Sequence, residues 1–159
     1  LHKEKLIKPF IWEICGEGNQ ESEIKKYIDS LDLNKHVRLL GRISDENKNQ
    51  LLKKSDLFVM PSYKVGNSIE GFGISYIEAA SYGIPSISGV EGGISDAVFD
   101  LKTGWCVNPL NSNQLLDTIK EAVNNKNKRE KFGLEAKKQF LKKFLGEKVF
   151  RKFMNTINS

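Results

Sequence analysis

Residues 70 to 83, EGFGISYIEAASYG, hold two glutamates and two closely spaced glycines, the residue types in this chain best suited to chemistry. Gly71 and Gly73 let the backbone turn tightly and approach a ligand with no side chain between. The helix expected after them leaves its first N–H groups without intrahelical partners, and that end of a helix favours an anion such as a phosphate. Glu78 is the only charge between Ile74 and Tyr82. A carboxylate amid Tyr76, Ile77, Ala79 and Ala80 is costly without a partner, and a diol supplies one. With a phosphate held at Gly73 and Ile74, Glu78 lies about one turn further along, roughly 6 Å of helix, and its side chain leans back toward the N-terminus. A ribose attached to that phosphate falls within its reach. Glu70, ahead of the turn, then stands on the opposite side of the phosphate, where any group carried by the nucleotide must lie. The competing reading is an amphipathic helix after a loop, with Glu70 solvated and Glu78 paired to a lysine or to backbone. It requires the glycine turn, the apolar helix and the following GIPSIS strand to coincide by accident.

The elements that must position this turn alternate between strand and helix. PFIWEIC reads as a strand and GEGN as the turn into a helix over 20 to 31, with Ile24, Ile28 and Leu31 as its buried stripe. VRLLG is a second strand. Ser44 caps a helix in which Leu51 and Leu52 face inward, and DLFVM is a third strand stopped by Pro61. After a loop of about ten residues comes the apolar helix, where Ile74, Ile77 and Ala80 recur at helical spacing and predict packing on several sides. A strand around Pro85 to Ser88, a short helix opening at Gly92 and Gly93, a strand at TGWCVN and three helices complete the chain. This alternation implies an α/β fold, a Rossmann-like parallel sheet with helices on both faces and ligand at the carboxyl ends of the strands.

Composition bounds the rest. The 159 residues, 39% apolar and 28% charged, suffice for one domain with a real core. There is no run of eighteen apolar residues and no signal-peptide pattern at the start, so the expected location is the cytoplasm. Cys15 and Cys106 lie in expected strands without metal-ligand spacing, which predicts small core residues and no disulfide. Net charge is +5, and residues 126 to 159 carry eleven Lys or Arg against three Glu. Ala136, Phe140 and Phe144, with Leu141 and Leu145, recur at helical spacing between those lysines, which predicts a docked helix with a wet basic face. Peripheral attraction to a membrane surface is the alternative. Nucleic acid is not expected, because no readout motif accompanies the charge.

Glu70 and Glu78, with seven residues between them in EGFGISYIEAASYGIPSI, resemble the Glu-(seven)-Glu signature of retaining glycosyltransferases of family 4, which have the GT-B fold. GVEGGISDAV and LKTGWCVNPLN resemble later blocks of that family in the same order, and ICGEGNQESEIKKYI, HVRLLGRIS and KKSDLFVMPS resemble earlier ones. The resemblance covers nearly the whole chain and implies the C-terminal half of a GT-B fold, the domain that binds a UDP- or GDP-sugar donor. The family's preceding strand and helix, with an Arg and a Lys that meet the diphosphate, have no counterpart before LHKEKLIKPF. The resemblance therefore implies that residues 1 to 159 are an excerpt lacking those elements and an N-terminal domain for a glycan or lipid-linked acceptor, inactive without them.

Residue by residue, the resemblance gives Glu70 contact with the donor sugar's hydroxyls and a catalytic role in orientation and electrostatics. It gives Gly71, Phe72, Gly73 and Ile74 the backbone that meets developing phosphate charge, and Glu78 the ribose hydroxyls. Arg42, Ile43, Asp45 and Lys48, in GRISDENK, fill the positions of the loop over the base. Gly92 and Gly93 approach sugar or phosphate, although a tight strand-to-helix turn needs glycine too. Asp96 stands where the family more often has Glu. No Asp-x-Asp occurs, so neither metal nor cofactor is expected.

A dinucleotide-binding domain signalled by CGEGNQES fails on detail. The fingerprint needs glycine where Glu21 stands and an acid where Leu39, Leu40 and Gly41 end the next strand. A nucleotide-sugar epimerase or a non-catalytic sugar-nucleotide sensor remains open within the same fold.

Overall fold

The computed structural model describes residues 8–63, 73–143 and 145–146, with the Ser95 side chain excepted. Its chain forms two compact units, residues 1–53 and 54–159.

In the first unit, β1 (Trp12–Cys15) runs parallel to β2 (Val37–Gly41), with α1 (Glu21–Ser30) between them and α2 (Asp45–Lys54) after. Glu13 and Arg38 are register partners, and their side chains meet at 3.2 Å. The pairing shifts between Ile14 and Cys15, where Gly16, at φ +135°, donates its N–H to the Gly41 carbonyl. Only glycine adopts that backbone without strain. The expected cap of α2 is present: the Ser44 hydroxyl accepts the Asn47 N–H at 3.2 Å.

Two expectations fail in this unit. Leu31, expected in the buried stripe of α1, is 47% exposed, whereas Ile28 is buried. The helix ends at Ser30, and Leu31, as its C-cap, leaves the helical path and the stripe with it. Cys15 is an exposed free thiol rather than a core residue, because it is the last residue of β1, at the bulge where regular pairing breaks.

In the second unit the strands are β3 (Phe58–Met60), β4 (Ser86–Ser88) and β5 (Gly104–Cys106), all parallel in the order β3-β4-β5. Helix α3 (Ile74–Ser81) connects the first pair and α4 (Ile94–Ala97) lies between β4 and β5, followed by α5 (Ser112–Asn124) and α6 (Lys126–Lys143). The central strand is buried along its length. A core of Tyr76, Ile94, Ala97 and Val98 packs with Phe58, Met60, Ile77 and Cys106. The α/β class and the parallel strands are those expected, and of the three expected C-terminal helices the region around residues 147 to 159 lies outside the described residues.

Two backbone approaches fix this unit. A Cβ on Gly104 would stand 2.1 Å from the Ser86 carbonyl oxygen, and one on Gly133 would stand 2.1 Å from that of Gly83. The first sets β5 against β4; the second lets α6 lie directly on the turn between α3 and β4. Helix α6 buries Phe132, Gly133 and Ala136 there. Leu141 and Leu145, expected on the docked face with Ala136, are exposed: Leu141, five residues beyond Ala136, turns away from that contact, and Leu145 lies past Lys143, the last residue of α6.

The junction of α5 and α6 is held electrostatically. Trp105 Nε1 donates to Glu121 at 2.9 Å, Lys128 reaches the same carboxylate at 2.5 Å, and the Lys128 ammonium lies 5.8 Å and 5.4 Å from the Trp105 and Phe132 ring centres. The Lys128 hydrogen bond, then the Trp105 bond and the Lys128 charge, hold the Glu121 carboxyl below its ordinary value of 4.5, with burial opposing them. A depressed folded value means that this stabilisation is fully present above about pH 4.5 and is lost as pH falls through the lower folded value. Glu121→Gln is therefore expected to lower the melting temperature by a constant amount between pH 6 and 8, with the gap to the unsubstituted protein closing in more acidic buffer. A gap independent of pH down to pH 3 would show that the carboxylate charge contributes nothing.

Candidate functional site

Met60, Ser88 and Cys106 end the three parallel strands at their carboxyl edge, where ligands of open α/β sheets bind. Three chain segments crowd this edge. After β4, a Cβ on Gly89 would stand 1.9 Å from the Ser62 carbonyl oxygen, so the backbones leaving β3 and β4 touch. Gly73 caps α3 in the left-handed conformation, φ 71° and ψ 48°, and is buried. Gly92, at φ +73°, leads to Gly93, which caps α4. Tyr76, Ile94 and Ala97 share one core, so α3 and α4 pack against each other, with Ala97 beside Gly73.

The side of α3 facing that core is made by Tyr76, Ala79 and Ala80. Ile74 is 68% exposed and Glu78, four residues on and on the same side, is half-buried. Packing on several sides, as the apolar sequence suggests, is what α3 does: it lies against α4, α6 and β4, and within it only Ile74, the first helical residue with no preceding turn to cover it, is exposed. Glu78 lies one turn beyond Gly73 and is half-buried.

Glu70, Gly71 and Phe72 lie outside the described residues. Arg42, Ile43, Asp45 and Lys48 belong to the first unit, around the start of α2. There Arg42 and Asp45 are exposed, Ile43 and Lys48 are half-buried, and Lys48 pairs with Asp45 at 3.2 Å.

The thiol of Cys106 is half-buried at this edge, 3.4 Å from the Ser88 hydroxyl. Burial raises its pKa, the nearby Asp100 adds to this, and the Ser88 hydrogen bond only partly offsets it. Burial therefore disfavours the thiolate at this position. Among the described residues no cluster of three His, Cys, Asp or Glu side chains could hold a metal ion, and no helix is long and apolar enough to cross a membrane.

Sequence reasoning missed Gly89 and the Tyr76 hydroxyl, which donates to the Met60 carbonyl. A glycine directly after a buried strand is a usable signal for the first. No local pattern announces the second, because Met60 is sixteen residues away.

Residues 1–139 match the model of the family described as glycosyl transferases group 1. The chain belongs to that family. It is 32% identical over 139 residues to an uncharacterized glycosyltransferase of Methanocaldococcus jannaschii, covering 87% of this chain and 38% of the relative. It is 31% identical over 160 residues to the poly(ribitol-phosphate) alpha-N-acetylglucosaminyltransferase of Staphylococcus aureus, covering all of this chain and 30% of that one. Among solved structures, a mutant of S. aureus TarM in complex with fondaparinux, alpha-GlcNAc-glycerol and UDP superposes with a TM-score of 0.78 at 29% identity, over 94% of this chain and 29% of TarM. The fold is the Rossmann-like half of a GT-B glycosyltransferase. The chain spans roughly a third of the length of these relatives, 38% and 30% for the two enzymes.

Proposed function

We propose that this chain binds the nucleoside-diphosphate sugar donor of a retaining hexosyltransferase that passes the sugar to a glycan or lipid-linked acceptor. One observation carries the reading: a left-handed glycine, Gly73, opens α3 at the carboxyl edge of β3-β4-β5, and half-buried Glu78 stands one turn in, at helical spacing from exposed Ile74. That edge offers backbone N–H groups to a diphosphate and a carboxylate to the ribose diol. Family membership, and the UDP named in the TarM complex, support a UDP-sugar donor, with a GDP-sugar as the alternative. Gly92 and Gly93 border the same edge and line the sugar end of the donor. The family resemblance alone assigns Arg42, Ile43, Asp45 and Lys48, and likewise Gly71 and Phe72, to donor binding.

In the proposed reaction the bond between the anomeric carbon and the diphosphate oxygen breaks, the acceptor hydroxyl oxygen bonds to that carbon on the same face, and the hydroxyl proton passes to the leaving diphosphate. The developing charge on the leaving diphosphate meets the fixed dipoles of the turn, with no metal or cofactor. The acceptor is bound by a domain outside these 159 residues, in the cytoplasm or at the inner face of a membrane, in polysaccharide or lipopolysaccharide assembly.

Thermal shift of the full-length protein with UDP-, GDP- and ADP-sugars, followed by measurement of diphosphate release with and without acceptor, tests the reading. Interconversion of two sugars without acceptor would make the protein an epimerase, and binding without turnover a sensor. Glu70→Gln keeps the shape and hydrogen bonding of that side chain but removes its charge. Transfer is expected to fall about a hundredfold, the scale of losing one transition-state contact, while affinity for the free diphosphate changes far less. Unchanged turnover would reduce Glu70 to an ordinary loop acid.

A further inference from the structure

Tyr76 is 1% exposed, and its ring meets that of Phe58 edge-on at 5.6 Å within the core that also holds Ile94, Ala97 and Val98. The same ring supports the donor turn. A Cβ on Gly73 would stand 2.6 Å from Tyr76 Cδ2, so the Gly73 backbone rests on the ring with no space between. The hydroxyl at the far end of that ring donates to the carbonyl of Met60, the last residue of β3. One side chain therefore spans from the strand end to the glycine that opens α3.

We propose, on the reading that the Gly73 and Ile74 amides hold the donor diphosphate, that Tyr76 is a positioning residue for the reaction. Its hydroxyl ties the start of α3 to the carboxyl end of β3 and so sets where those amides point. Packing by itself does not need the oxygen: a phenylalanine ring would fill the same space beside Phe58, Ile94 and Ala97. A ring held only by apolar contacts can slide, whereas a directed hydrogen bond at its tip fixes it along its length. Oriented donors act on developing charge only when they are already in place, and small displacements of such groups cost rate steeply.

The Met60 carbonyl also accepts the Ser62 N–H at 2.8 Å. Removing the phenol oxygen leaves that carbonyl with a partner, so Tyr76→Phe is a mild change for the fold. Phe58→Leu is the contrasting variant, disturbing the same aromatic packing without touching the tether.

The experiment measures, on the full-length protein, calorimetric affinity for UDP, GDP and ADP, steady-state kcat and KM with the preferred donor, and melting temperature. Tyr76→Phe is expected to lower kcat about tenfold, a fraction of the loss reached by gross misplacement, with diphosphate affinity reduced less and the melting temperature nearly unchanged. Phe58→Leu is expected to show the reverse, a lower melting temperature with kcat retained. The tether is overturned if Tyr76→Phe turns over like the unsubstituted protein, or if both variants lose stability and activity in parallel, failure to fold included. An unsubstituted protein that binds none of the three nucleotides overturns the donor reading itself, a result separate from either.

Discussion

Replacing Glu78 by Ala is expected to weaken a nucleoside diphosphate and its sugar derivative alike by at least tenfold, and to leave a 2′,3′-dideoxy nucleotide equally bound by both proteins. A carboxylate accepting two hydrogen bonds from a ribose diol gains about 1.5–3 kcal/mol from each, and every ~1.4 kcal/mol is tenfold in affinity. Loss of even one such bond meets the stated limit. The fold should persist, because Glu78 is half-buried on the side of α3 shared with exposed Ile74, while Tyr76, Ala79 and Ala80 make the packed side. Calorimetric titration of both ligands into both proteins decides the matter. Equal losses for the ribose and dideoxy ligands would make Glu78 a structural residue and remove the diol from the site.

The largest stability effect is expected at Gly104. An added methyl there would meet the Ser86 carbonyl oxygen at 2.1 Å and the carbon and nitrogen of the same residue at 3.0 Å. All three are backbone atoms of the central strand, which has β3 on one side and β5 on the other. No rotamer change relieves the overlap, so Gly104→Ala must push β5 away from β4 and loosen the pairing of Ile87 with Trp105. Overpacking of this kind costs about 3 kcal/mol, or roughly 6–12 °C in melting temperature for a chain of this size. Gly18 is the control. A Cβ there meets nothing within 4 Å and its φ is not positive, so Gly18→Ala should stay within about 0.5 kcal/mol. Urea denaturation of the two variants side by side measures the contrast, and equal midpoints would mean that β5 tolerates displacement.

Much of this protein is legible in the sequence, for reasons that are local. Ser44 marks the start of α2 because a hydroxyl at that place satisfies an N–H the helix cannot. Gly73 marks the start of α3 because its φ of 71° excludes most side chains. The alternation of short β-rich runs with helical ones gives parallel strands, because only crossover connections can join them. Glu70 and Glu78, with their spacing across a glycine turn and the other blocks in register before and after them, point to a family that the chain then proves to belong to.

What tertiary structure decided concerns which face each side chain takes and which distant atoms meet. Leu31, Leu141 and Leu145 are apolar and at plausible helical spacing, yet all three are exposed, because burial depends on a neighbouring surface that periodicity does not reveal. Within α3 only Ile74 is exposed, because Phe58, Ile94 and Ala97 pack around Tyr76 and α6 lies along the same helix. The bond from the Tyr76 hydroxyl to Met60 and the approach of Gly89 to Ser62 join residues from different strands and turns. Such contacts come from how β3 and β4 lie side by side, and the sequence holds no period or motif that encodes a meeting between residues so far apart.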